Sequence, residues 1–403
     1  LNDIIQQKKY METEGDIVAK KYERRKKEKM AVIAICYDFD KTLSPDDMQA
    51  QGYIQSVGYD VDAFWKKTNE LAETNNMDQI SAYMLMMTKE AEGNFVLNKG
   101  ALKEYGAKVK LFPGVKEWFE RIKAYGKEKG VIIEHYIISS GIQEMIEGTS
   151  VAKSFEKIYA CSFYYNERGV AKWPAQIVNY TNKTQFFFRI EKGVLDVNDA
   201  GVNDYFSPED VRVPFRNMVY IGDSDTDVPC MKLVNSSGGF SIGVYNSETK
   251  DRAKVYKMMR ENRIKYFAPA DYSEGSELDI LLKNIIDRTV YNETLESVYY
   301  RCKNEYQKAE KENNEEENSK IDLIIDLENS GSFARTHDVI KKLSAYNAWT
   351  NDQIEQLCLI ATENSQVYYI LKDEDISKYY KKLLKNCKSN SKAVKKIKEE
   401  LAI

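Results

Sequence analysis

Short apolar runs alternate with amphipathic segments along the first two-thirds of the chain. Residues 31–37 are uninterruptedly apolar, as in a strand buried on both faces of a parallel sheet. Similar runs, VIIEHYIISSG, MVYIG, GFSIGVY and IKYFAPA, predict four further strands, and residues 158–173 predict a hairpin turning at residues 166–169. Helical segments separate these runs. The pattern therefore predicts an α/β fold with a doubly wound parallel sheet.

Residues 44–110 differ from this alternation, because their apolar positions repeat at helical spacing. Ile80, Tyr83, Met84 and Met87 share one helical face there. Such a stripe is either the core side of a helix or a deformable substrate-binding wall, and core packing is the commoner outcome at this spacing. We assign no ligand to it.

Beyond residue 287 no further strand is predicted. The segment AEKENNEEENSK, residues 309–320, is too polar to bury a core and is interpreted as a linker or an exposed helix end. Helical periodicity returns over residues 321–385. The pattern divides the chain into a basic lead-in or helix (1–29), a sheet core (30–43 and 111–287), an inserted helical unit (44–110) and a helical C-terminal extension (288–403).

Composition limits the classes of protein that fit this plan. The 403 residues are 43% hydrophobic and 30% charged, and the formal charge is −4, so the whole molecule has no electrostatic attraction to nucleic acid. Seven of the ten residues 20–29 are Lys or Arg, but exposed charge runs are usually only solvated. We therefore expect no nucleic-acid partner.

The remaining composition indicates a cytoplasmic protein. The six cysteines form no CxxC pair, no apolar stretch is long enough to span a membrane, and the first residues lack the apolar core of a signal peptide. Only His135 and His337 are present, which leaves little material for histidine triads or zinc sites. We expect chemistry based on carboxylates, hydroxyls and lysine, away from membranes.

Two carboxylates, Asp38 and Asp40, follow the first predicted strand in the sequence DFDKTL. The carboxyl ends of parallel strands are where open α/β sheets bind ligands. Taken alone, the pair is equally compatible with a helix cap or a metal-binding turn.

Three other segments place polar groups at predicted strand or helix ends. The second long strand ends in Ser139, Ser140 and Gly141, whose hydroxyls and amides suit phosphate oxygens. Lys183, in TNKTQ, offers a positive charge for a phosphoryl group. The turn GDSDTD, residues 222–227, is rich in the oxygen ligands that Mg²⁺ prefers, although a structural turn is the alternative. Each signal is weak alone.

Together, these segments resemble the four motifs of the haloacid dehalogenase superfamily. DFDKTL resembles its DxDxT motif, IISSG its second motif, Lys183 its third and GDSDTD its GDxxxD motif, in the family's order over residues 31–287. The resemblance implies the superfamily's α/β fold. It also implies a helical cap inserted after the first motif, as in the phosphoserine phosphatase group, and residues 44–110 have the right place and size for one.

The resemblance also implies catalytic and metal-binding roles. Asp38 would be the nucleophile, and Asp40 would protonate the leaving oxygen and then activate water. Mg²⁺ would be held by Asp38, the main-chain carbonyl of Asp40 and Asp223, with Asp227 binding through water or orienting Lys183. Because dehalogenases lack the second acid, Asp40 favours phosphate hydrolysis.

Phosphate binding is implied at a further set of residues. Thr42 would fix the nucleophile loop and contribute to the phosphate site, and Ser139, Ser140, Gly141 and Lys183 would bind the phosphate. The serine-binding Glu and Arg of phosphoserine phosphatase have no recognisable match within residues 44–110. The identity of the substrate therefore stays open.

The sequence thus predicts a Mg²⁺-dependent phosphatase that acts on a small phosphorylated metabolite. Two alternatives remain: a phosphotransferase or phosphomutase with the same motifs, and a regulatory or binding protein built on this scaffold. In the second alternative, residues 288–403 do the work. That C-terminal region is a candidate for self-association or a protein contact.

Overall fold

The computed structural model describes residues 27–312, 315–385 and 387–403, the side chains of residues 310–316 excepted. Most of the predicted basic lead-in, residues 1–29, lies outside the described residues. The described chain forms seven strands, namely β1 Val32–Tyr37, β2 Ile132–Ile142, β3 Lys157–Tyr165, β4 Ala171–Gln176, β5 Met218–Gly222, β6 Phe240–Tyr245 and β7 Tyr266–Pro269. Helices occupy most of the remaining described chain.

The helices fall into three groups along the chain. Those between β1 and β2 are α1 Tyr53–Ser56, α2 Val61–Thr74, α3 Gln79–Ala91, α4 Lys99–Ala107 and α5 Val115–Glu128. Those between β2 and β7 are α6 Gln143–Gly148, α7 Gln185–Lys192, α8 Val228–Ser236 and α9 Ala253–Arg260. Those after β7 are α10 Glu277–Glu312, α11 Glu315–Glu328, α12 Phe333–Leu343, α13 Asn351–Glu363, α14 Ser365–Tyr369, α15 Glu374–Leu384 and α16 Lys392–Glu400.

The seven strands form one sheet in the order β4-β3-β2-β1-β5-β6-β7. Every pairing is parallel except that of β3 with β4, which form the predicted hairpin. The chain thus extends from β1 to one side and then, from β5, to the other. This confirms the predicted doubly wound α/β fold.

Strand β1 lies between β2 and β5 and is buried along its whole length, since every residue from Val32 to Tyr37 is at most 1% exposed. The apolar run has no polar side because helices cover both faces of a parallel sheet. Since β1, β2 and β5 run in the same direction, the polar residues at their carboxyl ends meet at one edge. That edge carries the candidate site.

Helices α1 to α4 form the insertion between β1 and α5. Side-chain caps fix where two of them begin: the carboxylates of Asp60 and Asp78 accept hydrogen bonds from the amides of Ala63 and Ser81, at 2.9 and 3.0 Å. Such caps satisfy amides that a helix leaves unpaired at its N-terminus. The insertion buries its own apolar residues, including Phe64 and Met84. We call α1 to α4 the cap.

The described chain divides into two compact units with boundaries that differ from the predicted ones. One unit contains the described residues up to Asp199 together with Arg212–Thr294, and the other contains Ala200–Val211 and Leu295–Ile403. The boundary predicted after residue 287 lies seven residues before the boundary between the two units, and both positions fall inside the continuous helix α10.

Residues 200–211, assigned above to the sheet core, belong to the C-terminal unit. Within that unit Gly331 lies so close to Tyr205 that a β-carbon would approach the tyrosine Cβ to 2.9 Å, and Glu209 pairs with Lys303 at 3.4 Å. These contacts join segments far apart in sequence. Sequence order alone therefore misassigns the segment.

The segment 309–320, predicted to be a linker or an exposed helix end, contains the end of one helix and the beginning of the next. Helix α10 continues to Glu312 and α11 begins at Glu315, so the described parts of this segment are helical. Glu and Lys are good helix formers, so helical structure there needs no apolar face of its own. The C-terminal unit has its own core, which includes Leu343, Leu357 and Tyr380. Among the described residues, no helix is both long and apolar enough to cross a membrane.

Buried His135 on β2 gives a testable prediction about acid stability. Its Nδ1 lies 3.0 Å from the Tyr37 hydroxyl, which accepts from Trp118 Nε1 at 2.8 Å, and its Nε2 lies 3.3 Å from the Phe119 carbonyl. A carbonyl only accepts, so the proton is on Nε2 and the ring is neutral. Burial, reinforced by the charge of Lys123, lowers the pKa of His135 to about 3.

Because this pKa is lower in the folded state than the unfolded value of about 6.5, stability is retained above pH 6.5 and decreases as the pH falls toward 3. Between pH 6.5 and 5 the wild-type protein should lose about 2 kcal/mol more free energy of unfolding than His135→Gln, as measured by urea titration. His337→Gln, at a half-exposed histidine whose pKa is raised by Asp375, is the control. Identical pH dependence of the wild-type and His135→Gln proteins would contradict the prediction.

Candidate active site

Asp38 directly follows β1 and is only 6% exposed. Lys183, from the turn that precedes α7, reaches it across the sheet edge: its Nζ lies 3.0 Å from Asp38 Oδ1 and 2.8 Å from Asp227 Oδ1. The lysine is itself 1% exposed. Burial alone would lower the pKa of Lys183, but the carboxylates of Asp227 and Asp38 raise it well above its ordinary value. Lys183 is therefore a fixed positive charge beside Asp38.

Asp227 is held in place by several donors. The Tyr220 hydroxyl donates to its Oδ1 at 2.7 Å, and the backbone amide and hydroxyl of Ser224 donate to its Oδ2 at 3.2 and 3.1 Å. With both carboxylate oxygens engaged, Asp227 orients Lys183 toward Asp38. This contact corresponds to one of the two roles that the sequence resemblance implied for Asp227.

Asp223, at the end of β5, completes a cluster of buried carboxylates. Oxygens of Asp38, Asp223 and Asp227 lie within 4.8 Å of one another. Burial and the charges of Asp227 and Asp38 raise the pKa of Asp223 to about 8. Lys254 lies 3.8 Å from Asp223, but its side chain is 64% exposed and screens little of this repulsion.

The cluster fits a hard divalent cation. Oxygen ligands are those that Mg²⁺ prefers, and a cation would relieve the crowding of negative charge that raises the pKa of Asp223. Burial also raises the pKa of Asp38, to about 6, although Lys183 opposes the shift. One buried lysine thus does not fully compensate the three carboxylates.

Asp40 points into the same site from the turn after β1. Lys41 adopts a left-handed conformation (φ 57°), and the Met48 amide donates to Asp40 Oδ1 at 2.8 Å. Burial, followed by the charges of Asp47 and Asp38, raises the pKa of Asp40 well above its ordinary value. A carboxyl group that keeps its proton near neutral pH can serve as a general acid.

The predicted phosphate-binding residues of β2 lie opposite. The strand continues to Ile142, with irregular pairing to β3 between Ile138 and Ile142, and the Ser139 hydroxyl accepts from the Gly141 amide at 3.1 Å. A β-carbon at Gly141 would overlap the Met48 methyl and approach Asp40 Oδ2 to 3.0 Å. A side chain at this position would therefore push against the ends of the Met48 and Asp40 side chains.

Thr42, also predicted to contribute to the phosphate site, lies in the loop that follows Asp38 and Asp40. It is fully buried, and its backbone carbonyl accepts from the Tyr272 hydroxyl at 2.8 Å. Its own hydroxyl has no partner within the described residues. The position suits fixing of the nucleophile loop. Thr42 does not line the cavity described next.

A cavity of about 380 Å³ lies over the sheet edge. On its sheet side it is lined by seven of the predicted site residues, namely Asp38, Asp40, Ser139, Ser140, Gly141, Lys183 and Asp223. Asp227 stands behind Lys183 rather than at the surface of the cavity. The structure thus gathers residues from four separate segments around one space.

The opposite side of the cavity comes from cap helices α2 and α3. We call it the cap wall: Trp65, Thr68, Asn69, Gln79, Ile80 and Tyr83. Met84 and Met87 are fully buried, so the methionine stripe is helix core, whereas Ile80 and Tyr83 of the same stripe reach the cavity. The sequence pattern had indicated Ile80 and Tyr83 through this stripe, whereas it had not singled out Trp65, Thr68, Asn69 or Gln79 as cavity residues.

Comparison with known proteins finds similar chains without identifying a function. No family model matches the chain. An uncharacterized protein of Borreliella burgdorferi is 29% identical over 279 residues, 62% of this chain and 95% of that protein. A HAD family hydrolase from Salmonella enterica serovar Typhi has a TM-score of 0.42 at 16% identity, over 64% of this chain and 72% of that chain. A substrate-bound phosphoserine phosphatase has a TM-score of 0.41 at 13% identity, over 64% and 99%.

Features of the chain itself define the fold. The sheet grows outward from β1 in both directions, helices α1 to α4 are inserted directly after the first motif, and residues of all four motifs meet at one sheet edge. This is the arrangement implied by the motif resemblance. The chain therefore has a haloacid dehalogenase-like fold with a helical cap.

Proposed function

We propose that the protein is a Mg²⁺-dependent phosphatase that hydrolyses a phosphate monoester of a small metabolite through a phosphorylated Asp38. The observation that carries the proposal is the environment of Asp38. It is a buried carboxylate that faces a cavity, is paired with Lys183, and has a second acid, Asp40, on the same loop. A scaffold that only binds other proteins has no need of such concentrated buried charge.

Asp38 and Asp40 have different roles in the proposed reaction. A carboxylate oxygen of Asp38 attacks phosphorus, and the phosphorus bond to the ester oxygen breaks as Asp40 gives that oxygen its proton. Asp40, now a carboxylate, then takes a proton from a water that attacks the phosphorus. The bond to Asp38 breaks, and inorganic phosphate leaves.

Charge on the phosphoryl group must be neutralised for a carboxylate to attack it. Lys183 supplies one positive charge from its position between Asp38 and Asp227. Mg²⁺, held by Asp38, Asp223 and the main chain at Asp40, would supply the rest by polarising phosphoryl oxygens.

The free cysteines, all six unpaired by disulfides, fit the reducing cytoplasm in which we place this activity.

The test is release of inorganic phosphate from p-nitrophenyl phosphate and from a panel of phosphorylated metabolites by the purified full chain with Mg²⁺. Phosphate release supports a phosphatase. Transfer to an added alcohol without phosphate release would instead indicate a phosphotransferase. Absence of both activities would favour the regulatory or binding protein and overturn the proposal.

Metal removal gives a separate prediction. Excess chelator should lower the rate of p-nitrophenyl phosphate hydrolysis roughly a hundredfold or more, because several kcal/mol of transition-state stabilisation are lost. Added Mg²⁺ should restore the rate, and Ca²⁺ should not, since it prefers more ligands and a looser geometry. Full activity in excess chelator would rule out the metal-dependent mechanism.

A further inference from the structure

Two polar groups of the cap wall are buried without hydrogen-bond partners. The Thr68 hydroxyl and the Trp65 indole N–H have no acceptor or donor within the part of the chain that the structure describes. Thr68 is 1% exposed, and both residues line the cavity that contains Asp38. A buried polar group without a partner is costly, so native proteins rarely retain one without a reason.

The position of Trp65 is fixed by its aromatic neighbours. Its ring meets Phe64 and Tyr83 edge to face, with centroids 5.4 and 5.9 Å apart. The Tyr83 hydroxyl is already committed, since it donates to the Ser140 carbonyl at 2.5 Å. Hydrogen bonding to a substrate from this part of the wall is therefore left to Trp65 and Thr68, with the amides of Asn69 and Gln79 beside them.

The cap wall also has no formal charge. None of the residues that α2 and α3 contribute to the cavity is acidic or basic, within the described chain. The charged residues of the cavity are on its other side, where Lys41 lies 2.8 Å from Asp47 and Lys254 lies 3.8 Å from Asp223. An ammonium or carboxylate on the substrate would meet the wall without a counter-charge, which is unfavourable in a buried site.

We propose that the organic part of the substrate is uncharged and carries several hydroxyl groups, as in polyol and sugar phosphates. This inference rests on the proposed phosphatase function and specifies its substrate class. Trp65 donates to a substrate hydroxyl oxygen, and Thr68 both donates and accepts. A site built to bond hydroxyls in this way discriminates strongly against compounds that lack them. It also disfavours phosphorylated amino acids, whose charges the wall cannot pair.

The first experiment compares matched substrates. Glycerol 3-phosphate and phosphoserine have the same three-carbon frame, but the first carries hydroxyls where the second carries an ammonium and a carboxylate. Glucose 6-phosphate, mannitol 1-phosphate and phosphoethanolamine extend the comparison. We expect kcat/KM for the best neutral ester to exceed that of either charged ester by at least tenfold.

The second experiment removes the unpaired groups. Thr68→Val keeps the side-chain shape and deletes the hydroxyl, and Trp65→Phe keeps an aromatic ring but deletes the indole N–H together with part of the ring system. Each should lower kcat/KM for the best neutral ester, relative to that for p-nitrophenyl phosphate, by at least tenfold. Thr68→Val should also leave the thermal midpoint unchanged or raised, because an unsatisfied buried hydroxyl is lost. If Thr68 is purely structural, Thr68→Val should instead leave the substrate preference unchanged and lower the thermal midpoint.

Thr88→Val is the control. Thr88 also lies in the cap, on α3, but its hydroxyl donates to the Leu85 carbonyl at 2.8 Å and it does not line the cavity. The substrate preference of the Thr88→Val variant should match that of the wild-type protein. This comparison separates loss of a cavity hydroxyl from a general effect of replacing threonine in the cap.

The outcomes separate the substrate inference from the proposed function. If p-nitrophenyl phosphate is hydrolysed but no neutral ester is preferred tenfold, or if Thr68→Val and Trp65→Phe leave the preference unchanged, the inference is wrong and the phosphatase stands. If no ester is hydrolysed, p-nitrophenyl phosphate included, the proposed function fails and the inference falls with it.

Discussion

Asp38→Asn should lower kcat for p-nitrophenyl phosphate by more than about a thousandfold, on the scale seen when a catalytic nucleophile is removed. The amide has the size of the carboxylate but cannot form the phosphorylated intermediate. It also provides a poorer metal ligand. Steady-state kinetics with saturating Mg²⁺ measures the loss.

The same change should leave the metal-free fold intact. Burial raises the pKa of Asp38 to about 6, so the charged form is disfavoured by folding. Removing this charge relieves repulsion with Asp227 and Asp223, and Lys183 retains its 2.8 Å contact with Asp227. The thermal midpoint without metal should therefore be unchanged or slightly higher, which separates loss of chemistry from loss of structure.

Asp225→Asn is the matched control for this variant. Asp225 lies in the same acidic turn as Asp223 and Asp227, but its side chain is 67% exposed and pairs with Lys257 at the surface. Its replacement should change kcat less than twofold. If Asp38→Asn keeps more than a tenth of the wild-type activity, covalent catalysis by Asp38 is wrong.

The sheet and its motifs could be predicted because their signals are local. The apolar run of β1 is typical of a strand buried on both faces, and the acids that follow such a strand lie at the sheet edge. Because parallel strands run in the same direction, their carboxyl ends lie at the same edge of the sheet, and the residues that follow them come together there. The sequence therefore predicted that the four motif segments would meet at one edge of the sheet, and in the structure they lie around one cavity.

The cap wall could not be predicted in the same way. Thr68 and Trp65 stand out only in the folded structure, where the threonine hydroxyl and the indole N–H have no hydrogen-bond partner among the described residues. In the sequence they are ordinary members of a helix whose apolar face is core. The position of residues 200–211 depended likewise on a non-local contact, that of Tyr205 with Gly331. Such information exists only in three dimensions.

Lys183→Met should combine a large loss of stability with a large loss of activity. The side chain keeps its length but leaves Asp38 and Asp227 buried without their shared counter-charge, and breaking a buried pair in this way costs about 3–5 kcal/mol. Urea titration without metal measures this loss. Loss of the positive charge beside the phosphoryl group should lower kcat roughly 10²–10³-fold.

Mg²⁺ distinguishes this explanation from a simple packing defect. In the variant the metal becomes the main counter-charge for Asp38, Asp223 and Asp227, so saturating Mg²⁺ should raise the thermal midpoint more in Lys183→Met than in the wild type. Lys254→Met is the control. Its side chain is 64% exposed and 3.8 Å from Asp223, so its loss should cost less than about 1 kcal/mol. If the two variants are equally stable without metal, Lys183 does not hold the buried carboxylates together.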